Sequence, residues 1–108
     1  MGLTKNFEDF PVYQKSMDLV AKVFLFLNHS VFKAEIEFNN QLKRAVISIT
    51  NNIAEGSEYN SNRQFIRFLK IAKGSCAEVR SLILVSKRLK WREDEIQDEI
   101  INETKEIS

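Results

Sequence analysis

Turn-forming residues are scarce in this 108-residue chain, which has three glycines and one proline. That shortage argues against a β-rich fold, with its many tight turns, and for long helices joined by short connections. The single cysteine, Cys76, cannot build an internal disulfide framework, and its apolar surroundings fit a reducing, cytoplasmic compartment. The single histidine, His29, lies near a helix end and reads as a cap or surface residue. No Glu-x-x-His pair occurs, so the ligands of a ferritin-type di-iron bundle are missing, and no glycine-rich phosphate loop is present. The first apolar cluster, around Val20 to Leu27, is too short to span a bilayer, and the polar N-terminus does not read as a signal peptide. The expectation is one domain over residues 1–108, with no enzymatic activity, no cofactor, no metal and no membrane contact.

What is present is charge, unevenly placed. The formal total is +1. Between Asn39 and Arg92, however, eleven Lys and Arg face three acids, giving +8 and leaving −7 for the two ends together. Most of the negative charge lies in Glu93 to Glu106. Segregation on this scale points to a charged partner or to pairing within an assembly.

Hydrophobic spacing predicts four helices, at about 11–29, 39–57, 61–90 and 94–107, in an all-α antiparallel up-and-down bundle. In the first, Pro11 suits the opening turn, and Tyr13, Met17, Val20, Phe24 and Leu27 form a coiled-coil-like stripe. A second stripe, Val12, Leu19, Val23 and Phe26, widens the face enough to meet two neighbours. Asn39 or Asn40 should cap helix two, whose core face is Leu42, Ala45, Val46, Ile49 and Ile53. Ser61-Asn62-Arg63-Gln64 reads as a capping box opening helix three. That helix carries Phe65, Phe68, Ala72, Ser75, Cys76, Val79, Leu82 and Ile83 on one face. Ile96, Ile100 and Ile107 are the apolar positions of an otherwise acidic helix four.

Two polar patterns are candidates for function. On helix two, Gln41, Arg44, Ser48, Asn52, Glu55 and Tyr59 share a face beside the apolar one. With Ser75 and Glu78 of helix three they suggest a structural hydrogen-bond network of Gln41, Ser48, Asn52, Glu55, Ser75 and Glu78 that sets helix register or an interface. A paired-carboxylate site at Glu55 and Glu78 and a plain solvated flank are the alternatives. On helix three, Arg63, Arg67, Lys70, Arg88 and Arg92 fall within about 60° at 100° per residue, and Lys73, Arg80 and Lys87 occupy the adjacent strip. With Lys43 and Arg44 of helix two they form a basic surface able to contact several phosphates of RNA or DNA. The alternative is a scaffold whose basic helix three docks on the acidic helix four of a neighbouring subunit or protein partner. Trp91, just beyond the basic helix, either packs where helices three and four meet or stacks on a base.

Several segments together resemble a known family. Phe7-Glu8-Asp9-Phe10-Pro11-Val12-Tyr13-Gln14-Lys15, Gln41-Leu42-Lys43-Arg44-Ala45 and Asn52-Ile53-Ala54-Glu55-Gly56 are similar to motifs of the bacterial 23S rRNA intervening-sequence proteins. So are Phe65 to Ala72, following Ser61, and Gly74-Ser75 with Glu78. The combination is specific and spans about residues 7–90. The resemblance implies a left-handed antiparallel four-helix bundle that assembles as a homopentamer, with no catalytic activity or cofactor carried over. It also implies kinship in fold with the accessory protein of diversity-generating retroelements, in which a basic surface is held to bind RNA and a reverse transcriptase. Two departures stand out: no proline occurs at residues 31–33, and Lys90-Trp91 replaces a glycine-aromatic break after helix three.

Overall fold

A computed structural model describes residues 6–108, among which there are four α-helices and no strand. Helix α1 spans Pro11–Leu27, α2 Ile36–Ser57, α3 Asn62–Arg88 and α4 Glu95–Ile107; short 3-10 segments lie at Phe7–Asp9 and Ser30–Phe32. Each helix packs on its neighbours in sequence, and α1 also meets α4, which closes an antiparallel bundle of 51 × 20 × 19 Å. No helix of the described residues is long and apolar enough to cross a membrane.

The core follows the helical period. Leu42, Val46, Ile49 and Ile53 of α2 face Ala72, Cys76, Val79 and Ile83 of α3, and Leu19, Val23, Phe26 and Ile100 complete the interior. Each large side chain fully buried there contributes roughly 1.5–3 kcal/mol. The rotation of α1 differs from the expected one. The Leu19, Val23, Phe26 stripe is fully buried, whereas Met17 and Phe24 of the other stripe are 43% and 38% exposed. A helix wedged between two neighbours buries the stripe bisecting them, and the flanking Phe24 is left under the Lys43 ammonium, 5.2 Å from its ring centre.

The helix ends show local chemistry at work. Helix α1 stops at Leu27 rather than near residue 29, because His29 turns extended and its Nδ1 accepts the amide of Val31 at 3.2 Å. Helix α2 starts three residues earlier than Asn39. Asn39 is not the cap; it sits in the first turn and its Nδ2 donates to the Phe32 carbonyl at 2.8 Å, tying the connection down. Ser61 caps α3, accepting from the Gln64 amide at 3.4 Å, but the Gln64 side chain makes no return bond, so the box is only half formed.

Helix α3 ends at Arg88 through a Schellman motif. The Trp91 amide donates to the Ser86 carbonyl at 3.1 Å and the Lys90 amide to the Lys87 carbonyl at 3.0 Å. This closure needs a left-handed residue, and Lys90 supplies it with φ 59°, where glycine is the usual choice. Trp91 then packs edge-on to Phe38 and Phe32, with centroids 4.9 and 6.1 Å away, so its ring seals this end of the bundle. Helix α4 opens with a capping box of Asp94 and Gln97. Gln97 is fully buried and donates to Ser86 Oγ at 3.0 Å, a polar peg joining α3 to α4.

At the opposite end, α2 and α3 approach so closely that a Cβ on Gly56 would lie 2.7 Å from Phe68 Cβ. Glycine is needed there for space, inside the helix and not after it.

Candidate nucleic-acid interface

The exposed side of α3 runs about 40 Å, at 1.5 Å per residue. Its cations divide by which edge of the helix they occupy. Arg80 and Lys87 lie on the edge facing α4 and are engaged within the chain. Arg80 donates to Thr104 Oγ1 at 3.4 Å, and the Lys87 ammonium pairs with Asp98 at 2.8 Å. Arg63, Arg67, Lys70, Lys73 and Arg88 are exposed, and no carboxylate of the described residues is in ion-pair range of them.

On α2, Arg44 is likewise exposed and without an acidic partner among the described residues, while Lys43 is half-buried over Phe24. Asn40, Lys43, Arg44, Ile47, Asn51 and Glu55 line a shallow open depression along the outside of this helix.

Arg92 does not extend the ridge as the helical wheel placed it, because the helix ends four residues earlier. Its guanidinium turns inward. It donates to the Phe26 carbonyl at 2.8 Å, pairs with Asp94 at 2.6 Å and lies 5.4 Å from the Phe26 ring centre. Arg92 is therefore a clamp between the end of α1 and the start of α4.

The acidic helix faces its own chain first. Lys22 of α1 meets Glu99 at 3.1 Å and Glu103 at 2.5 Å, and hydrogen bonds to Glu103 and then Glu99 raise its pKa above the ordinary lysine value. Part of the negative end of the chain is thus spent on intramolecular pairs with α1 and α3.

Only part of the expected polar network assembles. Ser75 Oγ donates to Ser48 Oγ at 2.9 Å across the α2–α3 contact, and Asn52 Nδ2 donates to Ser48 Oγ at 3.0 Å and its carbonyl at 2.8 Å. This trio fixes the register of the two long helices. Gln41, Glu55 and Glu78 are exposed and stand outside it. Nor do Glu55 and Glu78 share a site. With Ser48 and Ser75 level in antiparallel helices, the two carboxylates sit in opposite directions, roughly 15 Å apart along the axis.

Cys76 is fully buried, and burial pushes its thiol up to about 11 although the Arg80 charge pulls the other way. A neutral thiol in this position packs as a small apolar group. Among the described residues no group of three or more His, Cys, Asp or Glu could hold a metal ion.

One element of the surface was not anticipated. Tyr59, in the α2–α3 turn and 51% exposed, stacks on Phe68 with centroids 5.4 Å apart and planes at 20°, and the Arg67 guanidinium is 6.0 Å from the Phe68 ring centre. Spacing on one helix cannot reveal this group, since it depends on how closely α2 and α3 meet at Gly56. The Gly56-to-Asn60 run was the available signal.

Comparison with known proteins places these features in context. A family model described as "23S rRNA-intervening sequence protein" matches residues 8–108. A crystal structure of a protein of unknown function from the S23 ribosomal protein family of Bacteroides thetaiotaomicron is similar in fold. It has a TM-score of 0.77 and 24% sequence identity over 89% of this chain and 90% of that one. A search of the curated proteins found no match.

Proposed function

Because the chain belongs to the family of 23S rRNA-intervening sequence proteins, we propose that it is a non-enzymatic, cytoplasmic helical bundle that binds structured RNA by its phosphate backbone. The observation that carries this reading is the row Arg63, Arg67, Lys70, Lys73 and Arg88. These cations remain exposed and unneutralised on one helix while Arg80 and Lys87 are engaged by α4. Arg44 on the adjacent helix extends the positive side. Ammonium and guanidinium groups donate to phosphate oxygens, and arginine can do so bidentately, without reading sequence. RNA is the polyanion proposed because the resemblance implies kinship in fold with a protein whose basic surface is held to bind RNA.

Titration of a structured RNA at increasing salt tests this. Binding should weaken steeply, with a slope of log affinity against log salt near −0.7 to −0.9 for each phosphate contacted. The double reversal Arg67→Glu with Lys70→Glu should weaken binding by at least about tenfold. No binding at low salt, or unchanged binding by the double variant, removes the proposal.

A second reading is a self-associating or partner-binding scaffold, the homo-oligomer of five subunits that the family resemblance implies. The observation favouring it is the apolar set Ile66, Ile71, Leu84 and Val85, all at least 41% exposed on α3 among the cations. Light scattering at low and high salt separates the two. An oligomer that persists at high salt, carrying no nucleic acid through purification, supports the scaffold.

A further inference from the structure

A protein that tracks phosphates alone does not distinguish paired from unpaired RNA, yet one end of the basic face carries a feature suited to that choice. Tyr59 is a large aromatic held in the α2–α3 turn with about half its surface open. Phe68 lies beneath it in a near-parallel stack, at 5.4 Å and 20°. Phe68 itself is brought under the turn because Gly56 lets α2 and α3 close to a separation no side chain would tolerate. The stack restrains the ring on its Phe68 side while about half of the residue's surface stays open. A ring immobilised in this way pays little of the ordering cost that an ordinary surface tyrosine would incur on binding.

Two arginines border the ring, and the exposed Glu58 precedes it in the chain. Arg67 projects from the same turn of α3 as Phe68, with its guanidinium 6.0 Å from that ring, and Arg63 is one turn earlier on the exposed side. Neither is paired with an acid among the described residues. An aromatic face bordered by arginines is the combination by which unpaired bases are held: the ring takes the base and the cations take the flanking phosphates. A duplex, with its bases stacked on one another, has no ring to offer.

We propose that Tyr59, seated on Phe68 and flanked by Arg63 and Arg67, is a stacking site for one unpaired nucleobase of an RNA loop or bulge. The assignment rests on the RNA reading above and adds to it the class of RNA recognised. It also distributes the work along α3. The far residues Lys70, Lys73 and Arg88 follow the backbone, and the Tyr59 end selects a strand that can splay a base.

The test uses the full chain and two RNAs of equal length and charge, a hairpin with 2-aminopurine in its loop and the fully paired duplex. The hairpin is expected to bind more tightly than the duplex, with a change in 2-aminopurine fluorescence on binding. Tyr59→Leu should weaken the hairpin by about tenfold or more, the order of one lost stacking contact, and leave the duplex unchanged. Tyr59→Phe should keep the hairpin affinity, because the ring and not the hydroxyl makes the contact. If Tyr59→Leu binds the hairpin as the parent does while Arg67→Glu with Lys70→Glu does not, the stacking site is refuted and the phosphate reading stands. If neither RNA binds the parent protein, both fall. Circular dichroism of each variant separates lost binding from lost fold, and Tyr59, half exposed in a turn, can be changed without touching the core.

Discussion

Gly56 and Gly74 both lie inside helices, and the same replacement is expected to move stability in opposite directions at the two positions. In a helix interior, glycine to alanine gains about 1 kcal/mol by intrinsic propensity. At Gly74 an added methyl meets nothing within 4 Å beyond its own stretch of helix. The propensity gain should therefore appear almost whole, about 0.8–1 kcal/mol. At Gly56 the methyl would lie 2.7 Å from Phe68 Cβ and 3.0 Å from Phe65 Cδ1. The first of these is the stem of its side chain and cannot rotate aside, so α2 and α3 must part. Overpacking of this kind costs about 1–3 kcal/mol, of which propensity returns about 1. The net expectation for Gly56→Ala is a loss of about 0–2 kcal/mol, and the gap between the two variants is about 1–3 kcal/mol. Urea unfolding followed by circular dichroism, at one fixed protein concentration, reads this directly as midpoints displaced to either side of the parent at unchanged m. A Gly56→Ala protein as stable as Gly74→Ala would refute the close approach, and with it the positioning of Phe68 beneath Tyr59.

Other consequences are as direct. Lys90→Gly should stabilise by about 1 kcal/mol in the same unfolding assay, since Lys90 occupies a left-handed conformation at φ 59° that costs an L side chain energy; a destabilised variant would contradict the Schellman closure. Gln97→Ala removes a buried hydrogen bond to Ser86 and half of a capping box, and should cost about 2 kcal/mol while hydrogen exchange accelerates first in α4. The Cys76 thiol, fully buried and pushed up to about 11, should resist a disulfide reagent at neutral pH until denaturant opens the core; rapid labelling of the native protein would contradict its burial. Lys22 has its pKa raised by Glu103 and Glu99, so its contribution is complete below the ordinary lysine value of 10.5 and is lost as pH rises through the higher folded value. The stability difference between the parent and Lys22→Met should accordingly shrink in strong alkali.

Much of the bundle is written in the spacing of apolar residues, and α2 and α3 are the clearest case. Their core positions recur at three and four residues and each helix has one apolar face, so period alone orients them. Helix α1 has two such stripes, and spacing cannot tell which one bisects its neighbours; Met17 and Phe24 point outward for a reason that lies in the other helices. Ending α3 at Arg88 also escapes a reading by residue type, because a lysine performs the glycine's conformation. Arg92 accordingly seemed to continue the ridge when it in fact clamps the turn. Asp94-x-x-Gln97 carries a capping-box signature and marks the true start of α4. Of the candidate surface, the cations of α3 were legible because exposed charge follows the wheel directly. Which of them α4 would engage, and that Tyr59 and Phe68 would meet, depended on contacts between elements.

Three of the four main packed helix pairs join neighbours along the chain, and the fourth, α1–α4, joins helices distant in sequence. Closing that seam spans the longest stretch of chain, so the hairpins of neighbouring helices are expected to form before it. The adhesive of that seam is partly ionic, with Lys22 holding Glu99 and Glu103, and Ile100 is the one fully buried hydrophobic side chain that α4 contributes. Dissolved salt should therefore change how quickly the last helix peels away far more than how quickly the hairpins form, which places the kinetic weak point of the molecule on the side away from its basic face.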